Sequence, residues 1–298
     1  MVYKSNIIQK IQNKMKKITS LLLFTMIISF GYSQDKPAYL IYTKEGKKVS
    51  YGEMIKTLAQ QNVVLFGEIH NNPISHWLEL NLTKDLSQSK TLTLGAEMFE
   101  ADNGLSLSNY VSGKTDNKTF TQETRLWPNY DTDYSQLVEF AKEKNLQFIA
   151  TNIPRKYASL VFKSDFSALD SLTAEEKSWI APLPIKFDPD LPTYQNILKM
   201  MGGHGSELLV KAQAIKDATM AHFILANYKP ENLFLHFNGS FHSDDYEGIL
   251  WYLKQENSSL KYATLSTVSQ DNISELDKEN IRKADFIICV DSSMTNTY

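Results

Sequence analysis

In two places the chain sets a glycine three residues ahead of a histidine, just where an apolar run stops. Gly67-Glu68-Ile69-His70 follows residues 63–66, and Gly239-Ser240-Phe241-His242 follows residues 232–237. Glycine lets the backbone turn tightly off a strand, and an imidazole three positions on can swing back over the strand's end. Glu68 adjoins the first glycine, and Glu97 closes another apolar run, residues 91–96. Two imidazoles with two carboxylates suit a borderline divalent ion such as zinc, manganese or iron, so Glu68, His70, Glu97 and His242 are candidate metal ligands. The same four suit general acid–base work, because a carboxylate fixes a histidine's tautomer and tunes its pKa. A polar cluster that only satisfies strand ends is the plainer reading. Gly-x-x-His alone is a weak pattern; its repetition at two strand ends beside acids gives it weight. The expectation is convergence of all four on one small site. The alternative is two histidines on opposite faces of a sheet.

Such a site needs elements that bring distant strand ends together. Short apolar runs recur at 63–66, 91–96, 147–151, 232–237, 262–267 and 286–290, separated by stretches of near-helical spacing at 75–86, 134–144, 206–228 and 246–255. This alternation predicts an α/β fold: three layers, α/β/α, around a central, mostly parallel sheet. In such sheets ligands bind beyond the carboxyl ends of the strands. There the runs deliver Glu68 and His70, Glu97 and Glu100, Asn152 and Arg155, and Asn238 and His242. Upstream, residues 38–51 predict a hairpin turning at Glu45-Gly46, followed by a helix over 51–60. On the long helix after 206, Gln213, Asp217, Met220 and Ile224 share one face, which can turn Gln213 and Asp217 toward the rim; a solvated helix edge is the alternative. His236, between Leu235 and Phe237, reads as a satisfied core histidine. Prolines 182, 184, 189 and 192 and the Gly202-Gly203 pair break the rhythm over 172–205, which predicts a mobile helical or loop excursion over the strand ends, either lid-like or a plain surface loop.

The 298 residues, 42% hydrophobic and 22% charged, can fill one large α/β domain. A net charge of -3 and no basic stripe argue against nucleic acid as a partner. From Met15, two lysines, an apolar core at 21–30 and the small residues Gly31 and Ser33 form an export signal, which predicts a leader over 1–33 and a mature domain over 34–298. The long stretch before Met15 points to that methionine as the start. An uncleaved anchor is the alternative. The expected location is periplasmic or extracellular, and no cysteine at the cleavage site provides for a lipid anchor. The single cysteine, Cys289, sits in an apolar run and reads as a buried strand residue.

The blocks "VVLFGEIHNNPISHWLELNL", "GAEMFEADN", "LVEFAKEKNLQFIATNIPRKYA", "KDATMA" and "FNGSFHSDDYEGI", in that order, resemble the ChaN-like haem-binding uptake proteins. That family shares a superfamily with the Tiki proteases and erythromycin-esterase-like hydrolases. The resemblance runs over about residues 37–270 and implies a three-layer α/β fold. It implies that Glu68, His70, Glu97 and His242 hold the site positions, with Arg155, Asp217 and Asn238 near them as further catalytic candidates. Many members are lipoproteins, and this chain departs from them there.

The resemblance implies haem as cofactor and non-covalent haem uptake as the function, since the chain has no Cys-x-x-Cys-His. Haem carriers use a tyrosinate or a histidine, which makes Tyr130 and Tyr134, and behind them Tyr194 and His204, the candidate iron ligands. Outer-membrane uptake machinery and a second copy of the chain are candidate partners. The acid–histidine rim supports a second reading, a secreted metal-dependent hydrolase in which Glu68 or Glu97 activates water. A binding module that keeps a dead site is the third.

Overall fold

The short apolar runs become strands because β-branched and aromatic residues pack well on both faces of a covered sheet. In the structure, a computed structural model, residues 14–16, 36–200 and 206–298 are described. Apart from 14–16, the expected leader lies outside them, as does His204. Among the described residues the strands are β1 (Tyr39–Thr43), β2 (Val63–Glu68), β3 (Thr91–Glu100), β4 (Gln147–Asn152), β5 (Asn232–Gly239), β6 (Tyr262–Gln270) and β7 (Phe286–Asp291). They form one sheet in the order β1-β7-β6-β2-β5-β3-β4. Only β1 runs antiparallel, against β7, and the other neighbours are parallel.

Helices cover both faces: α1 (Tyr51–Leu58), α2 (Pro73–Ser87), α3 (Gly104–Val111), α4 (Ser135–Glu143), α5 (Arg155–Ser164), α6 (Pro192–Met200), α7 (Glu207–Asn227) and α8 (Ile249–Glu256). Alternate residues of β2 feed opposite layers, as strand geometry requires. Val64 and Phe66 pack with Leu78 and Leu82 of α2 and Val138 of α4. Val63 and Leu65 pack with Met220 and Ile224 of α7 and Leu253 of α8. Residues Ala38–Tyr298 form one compact unit.

Two features aim the site. Glu68 stands level with Gly239 where β2 and β5 pair. From there β2 leads across β5 to β3, while β5 leads back across β2 to β6, so the two connections leave in opposite directions. That is a topological switch point, where an open α/β sheet leaves a crevice.

Three expectations change. The hairpin's second arm reduces to a single bridge, Tyr42 to Lys48, because β1 finds its ladder on β7 instead. Residues 172–205 include a short helix, Ala174–Lys177, closed by a Thr173–Glu176 capping box, and then α6. Pro192 opens α6 rather than breaking it, since a first-turn position needs no backbone donor. Ile180, Ala181 and Tyr194 of this segment are buried. Helices α3 and α5 have no counterpart in the periodicity reading.

Candidate functional site

The first group forms where β2 ends and α2 begins. Asn72 caps α2, accepting from the Ile74 and Ser75 amides, with Pro73 in the first turn. The cap fixes the short turn that carries His70. His70 Nδ1 lies 2.7 Å from Glu68 Oε1, which also accepts from the Tyr134 hydroxyl at 2.7 Å. The His70 carbonyl accepts from Asn129 Nδ2 at 3.1 Å, and Trp127 stands edge-on to the ring at 4.9 Å. Glu68 is buried, yet 36% of the His70 side chain is exposed, so the imidazole is the part of this group that meets solvent. Its Nε2 lies over Gly239, where an added Cβ would come within 2.6 Å. Only glycine fits there. Burial raises the Glu68 pKa, but the His70 hydrogen bond and the His76 imidazole beside it outweigh this and hold the carboxyl well below its usual range. For His70, burial pulls the pKa down, while the Glu68 hydrogen bond and the Glu97 charge overcome this and raise it.

In the second group His242 is clamped between two carboxylates. Its Nε2 lies 3.1 Å from Glu97 Oε1 and its Nδ1 2.5 Å from Asp217 Oδ1. Glu97 Oε2 accepts from the Gly239 amide at 2.8 Å, and Asp217 Oδ2 from the Tyr194 hydroxyl at 3.1 Å. The Gln213 amide nitrogen sits 3.0 Å from His242 Nδ1. Burial lowers the His242 pKa, but the charges of Glu97 and Asp217 prevail and push it up to about 9. Burial likewise raises Glu97, yet His242 brings it down to about 2. For Asp217 burial wins, and its pKa is raised.

Both groups open on one cavity of about 480 Å³, lined by Glu68, Ile69, His70, Glu97, Gly239, His242 and Gln213, with Ile197 and Met200 of α6 as a wall and Lys216 and Phe241 at its side. The four rim residues therefore share one pocket, and the two histidines do not point to opposite faces. They form two acid–imidazole pairs, each partner already engaged with the other. As a four-residue metal centre the set is not assembled: among the described residues, the acid–histidine group whose donor atoms all lie within 4.8 Å of one another is Glu68, His76 and Glu79.

The remaining candidates sort by what they touch. Asp217 supports His242, and Gln213 joins it, as the helix-face reading expects. Asn238 is buried beneath the rim, donating to Ser243 Oγ at 3.0 Å, with its oxygen 3.0 Å from His236 Nδ1. His236 is a satisfied core histidine bridged to Thr151, its pKa lowered by burial to about 4. Arg155 is exposed at the start of α5 and does not line the pocket. The tyrosines also differ from expectation. Tyr130, Tyr134 and Tyr194 are all buried, none lines the cavity, and burial raises each phenol's pKa. Tyr130 packs among Phe99 and Phe120, while Tyr134 and Tyr194 brace Glu68 and Asp217. His76 and Glu79 were invisible to the strand-end rule because they lie inside α2. A faint signal existed: their spacing of three puts both on one side of a helix.

Fold and rim together define a three-layer α/β protein with paired acid–histidine groups at the sheet's switch point. Residues 54–253 match the family described as "Haem-binding uptake, Tiki superfamily, ChaN", and the chain belongs to that family. Among solved structures it is similar to ChaN of Campylobacter jejuni, described as binding haem cofacially, with a TM-score of 0.65 and 18% identity over 86% of this chain and 98% of that one. It is similar to a Bacillus cereus protein at a TM-score of 0.51 and 12% identity, over 82% of this chain and 92% of that one. An erythromycin esterase in its open conformation gives a TM-score of 0.50 at 11% identity, over 85% of this chain and 97% of that one. At such identities these likenesses establish the fold. No curated protein matches the chain.

Proposed function

We propose that the protein binds haem non-covalently in the pocket that His70 and His242 share, as an exported component of haem or iron uptake. The observation that carries this reading is the state of His70. Glu68 takes its Nδ1, which leaves Nε2, over Gly239, as the free nitrogen of a ring that is 36% exposed and lines the cavity. A carboxylate behind an imidazole fixes the tautomer and raises the basicity of the other nitrogen, which suits it to an iron ligand. Ile69, Ile197, Met200 and Phe241 offer an apolar surface for a porphyrin, and Lys216 a cation for its carboxylates. At about 480 Å³ the cavity falls within the ~300–1,000 Å³ range of small-molecule pockets. Haem bound here would supply the iron; the chain supplies the ligand, its orientation and exclusion of water. Outer-membrane uptake machinery and a second copy of the chain are the proteins this reading makes its partners.

Haemin titrated into the purified protein should give a saturable Soret shift, and His70→Ala should weaken it at least about tenfold. Tyr130→Phe should leave the spectrum unchanged, since its phenol does not reach the cavity, while Tyr134→Phe should act only through its lost hydrogen bond to Glu68 and so less than His70→Ala. A spectrum that moves with either phenylalanine and not with His70→Ala would return the ligand to the tyrosines.

The clamp of Glu97 and Asp217 on His242 favours a second reading, hydrolysis at the same pocket. Turnover of a chromogenic ester that disappears in His242→Asn would establish it. Export has its own expected outcome: material recovered outside the cytoplasm should begin near Gln34, without a lipid anchor. N-terminal sequencing that finds Met15 retained there would refute it.

A further inference from the structure

Behind Glu68, away from the pocket, lies a second cluster that haem binding does not use. His76 Nδ1 is 3.2 Å from Glu68 Oε2 and 3.5 Å from Glu79 Oε2. Its Nε2 is 3.1 Å from the His70 carbonyl and 3.4 Å from Asp133 Oδ2. A carbonyl can only accept, so Nε2 carries a proton, and Nδ1 is the nitrogen turned toward two carboxylates. Separations of 3.2 and 3.5 Å exceed the ~2.7–2.9 Å of a charge-assisted hydrogen bond. They do match the roughly 3.3 Å between donors arranged tetrahedrally on bonds of about 2.0–2.1 Å. Independently, Glu68 Oε2 and Glu79 Oε1 have no hydrogen-bond partner, although each side chain is only 1% exposed. Buried carboxylate oxygens that accept no hydrogen bond are costly, and a cation bound between them removes that cost.

We propose that Glu68, His76 and Glu79 bind one divalent transition-metal ion, with zinc the best match to one imidazole and two carboxylates. The second oxygen of Glu79 is free to serve as a fourth donor. The outer ring nitrogen of His76, held by a carbonyl and by Asp133, has the support that fixes metal-bound histidines. Metal on Glu68 Oε2 leaves Oε1 to hold His70, so the ion anchors the carboxylate that orients the pocket's imidazole. The proposal does not rest on haem binding and is read without haem.

Protein grown in zinc-supplemented medium and purified without chelator should carry close to one zinc per chain by elemental analysis. His76→Asn and Glu79→Gln should lose it, whereas Glu97→Gln and His242→Asn should keep it, with circular dichroism checking that each variant is folded. Cobalt supplied during growth should give the visible bands of a four-coordinate site in the unmutated chain, a readout that needs no variant. No metal above background together with no cobalt bands would overturn the proposal and leave a proton-bridged cluster. Metal that persists in His76→Asn and Glu79→Gln would overturn this location for it.

Discussion

Glu68→Ala should cost about 3–5 kcal/mol of folding stability, the range for removing one partner of a buried charged pair. Glu68 is fully buried, accepts from His70 and Tyr134, and faces His76. Alanine removes the acceptor but leaves the buried Tyr134 phenol and the His70 imidazole without their carboxylate, and leaves His76 to Glu79 and Asp133 alone. Glu68→Gln should cost less, because its carbonyl still accepts from Tyr134 while the charge is gone. Denaturant unfolding in chelator-treated buffer, with matched slopes, measures both. A loss below about 1 kcal/mol, the level of exposed ion pairs, would mean the cluster is open to water.

The second large effect is a stability profile with a shoulder on each side. His242 rises from its ordinary 6.5 to about 9 in the folded chain. Its contribution is therefore complete below pH 6.5 and disappears as pH climbs through about 9. Glu97 falls from 4.5 to about 2, so its contribution is complete above pH 4.5 and disappears as pH drops through about 2. Each shift corresponds to roughly 3 kcal/mol. Both include the Glu97–His242 contact, with Asp217 adding to the first and His70 and the Gly239 amide to the second, so they are not to be added. Denaturation midpoints across pH should thus be highest between 4.5 and 6.5 for this pair. His242→Asn should flatten the alkaline side; an unaltered alkaline limb in that variant would assign the effect to other groups.

How much of this was legible in the sequence depends on the kind of signal. The central strands read directly, because a strand covered on both faces is a continuous apolar run, as in residues 63–66. The rim acids and histidines read through the rule that parallel strands deliver ligands at their carboxyl ends. Helix α5 carries its buried Tyr157, Ala158 and Val161 at helical spacing and was legible though unread, whereas the eight residues of α3 are too few for a pattern to stand out. Pro192 was read as a breaker because sequence alone does not say whether a proline falls in a first turn or an interior one. His76, Glu79 and the bracing role of Tyr134 depend on α2, the π-helical turn Tyr130–Tyr134 and the end of β2 meeting in space. No spacing encodes that meeting. The tyrosines drew attention as iron ligands because a phenol's chemistry is visible in a sequence and its burial is not.

The pairing of Glu68 with Gly239 also sets a timetable. The two residues are 171 positions apart (239 − 68), and β1 waits still longer for β7, with Tyr39 opposite Val290. As the chain is synthesised, β2 appears early and has neither lateral neighbour until β5 and β6 follow. Closing loops of that span costs entropy before any contact rewards it, and folding dominated by such distant pairings is slow. Until then Glu68 ends a strand that lacks both of the neighbours flanking it in the finished sheet. A chain halted before β5 holds the acid and both imidazoles of the first group but has no floor on which to set them.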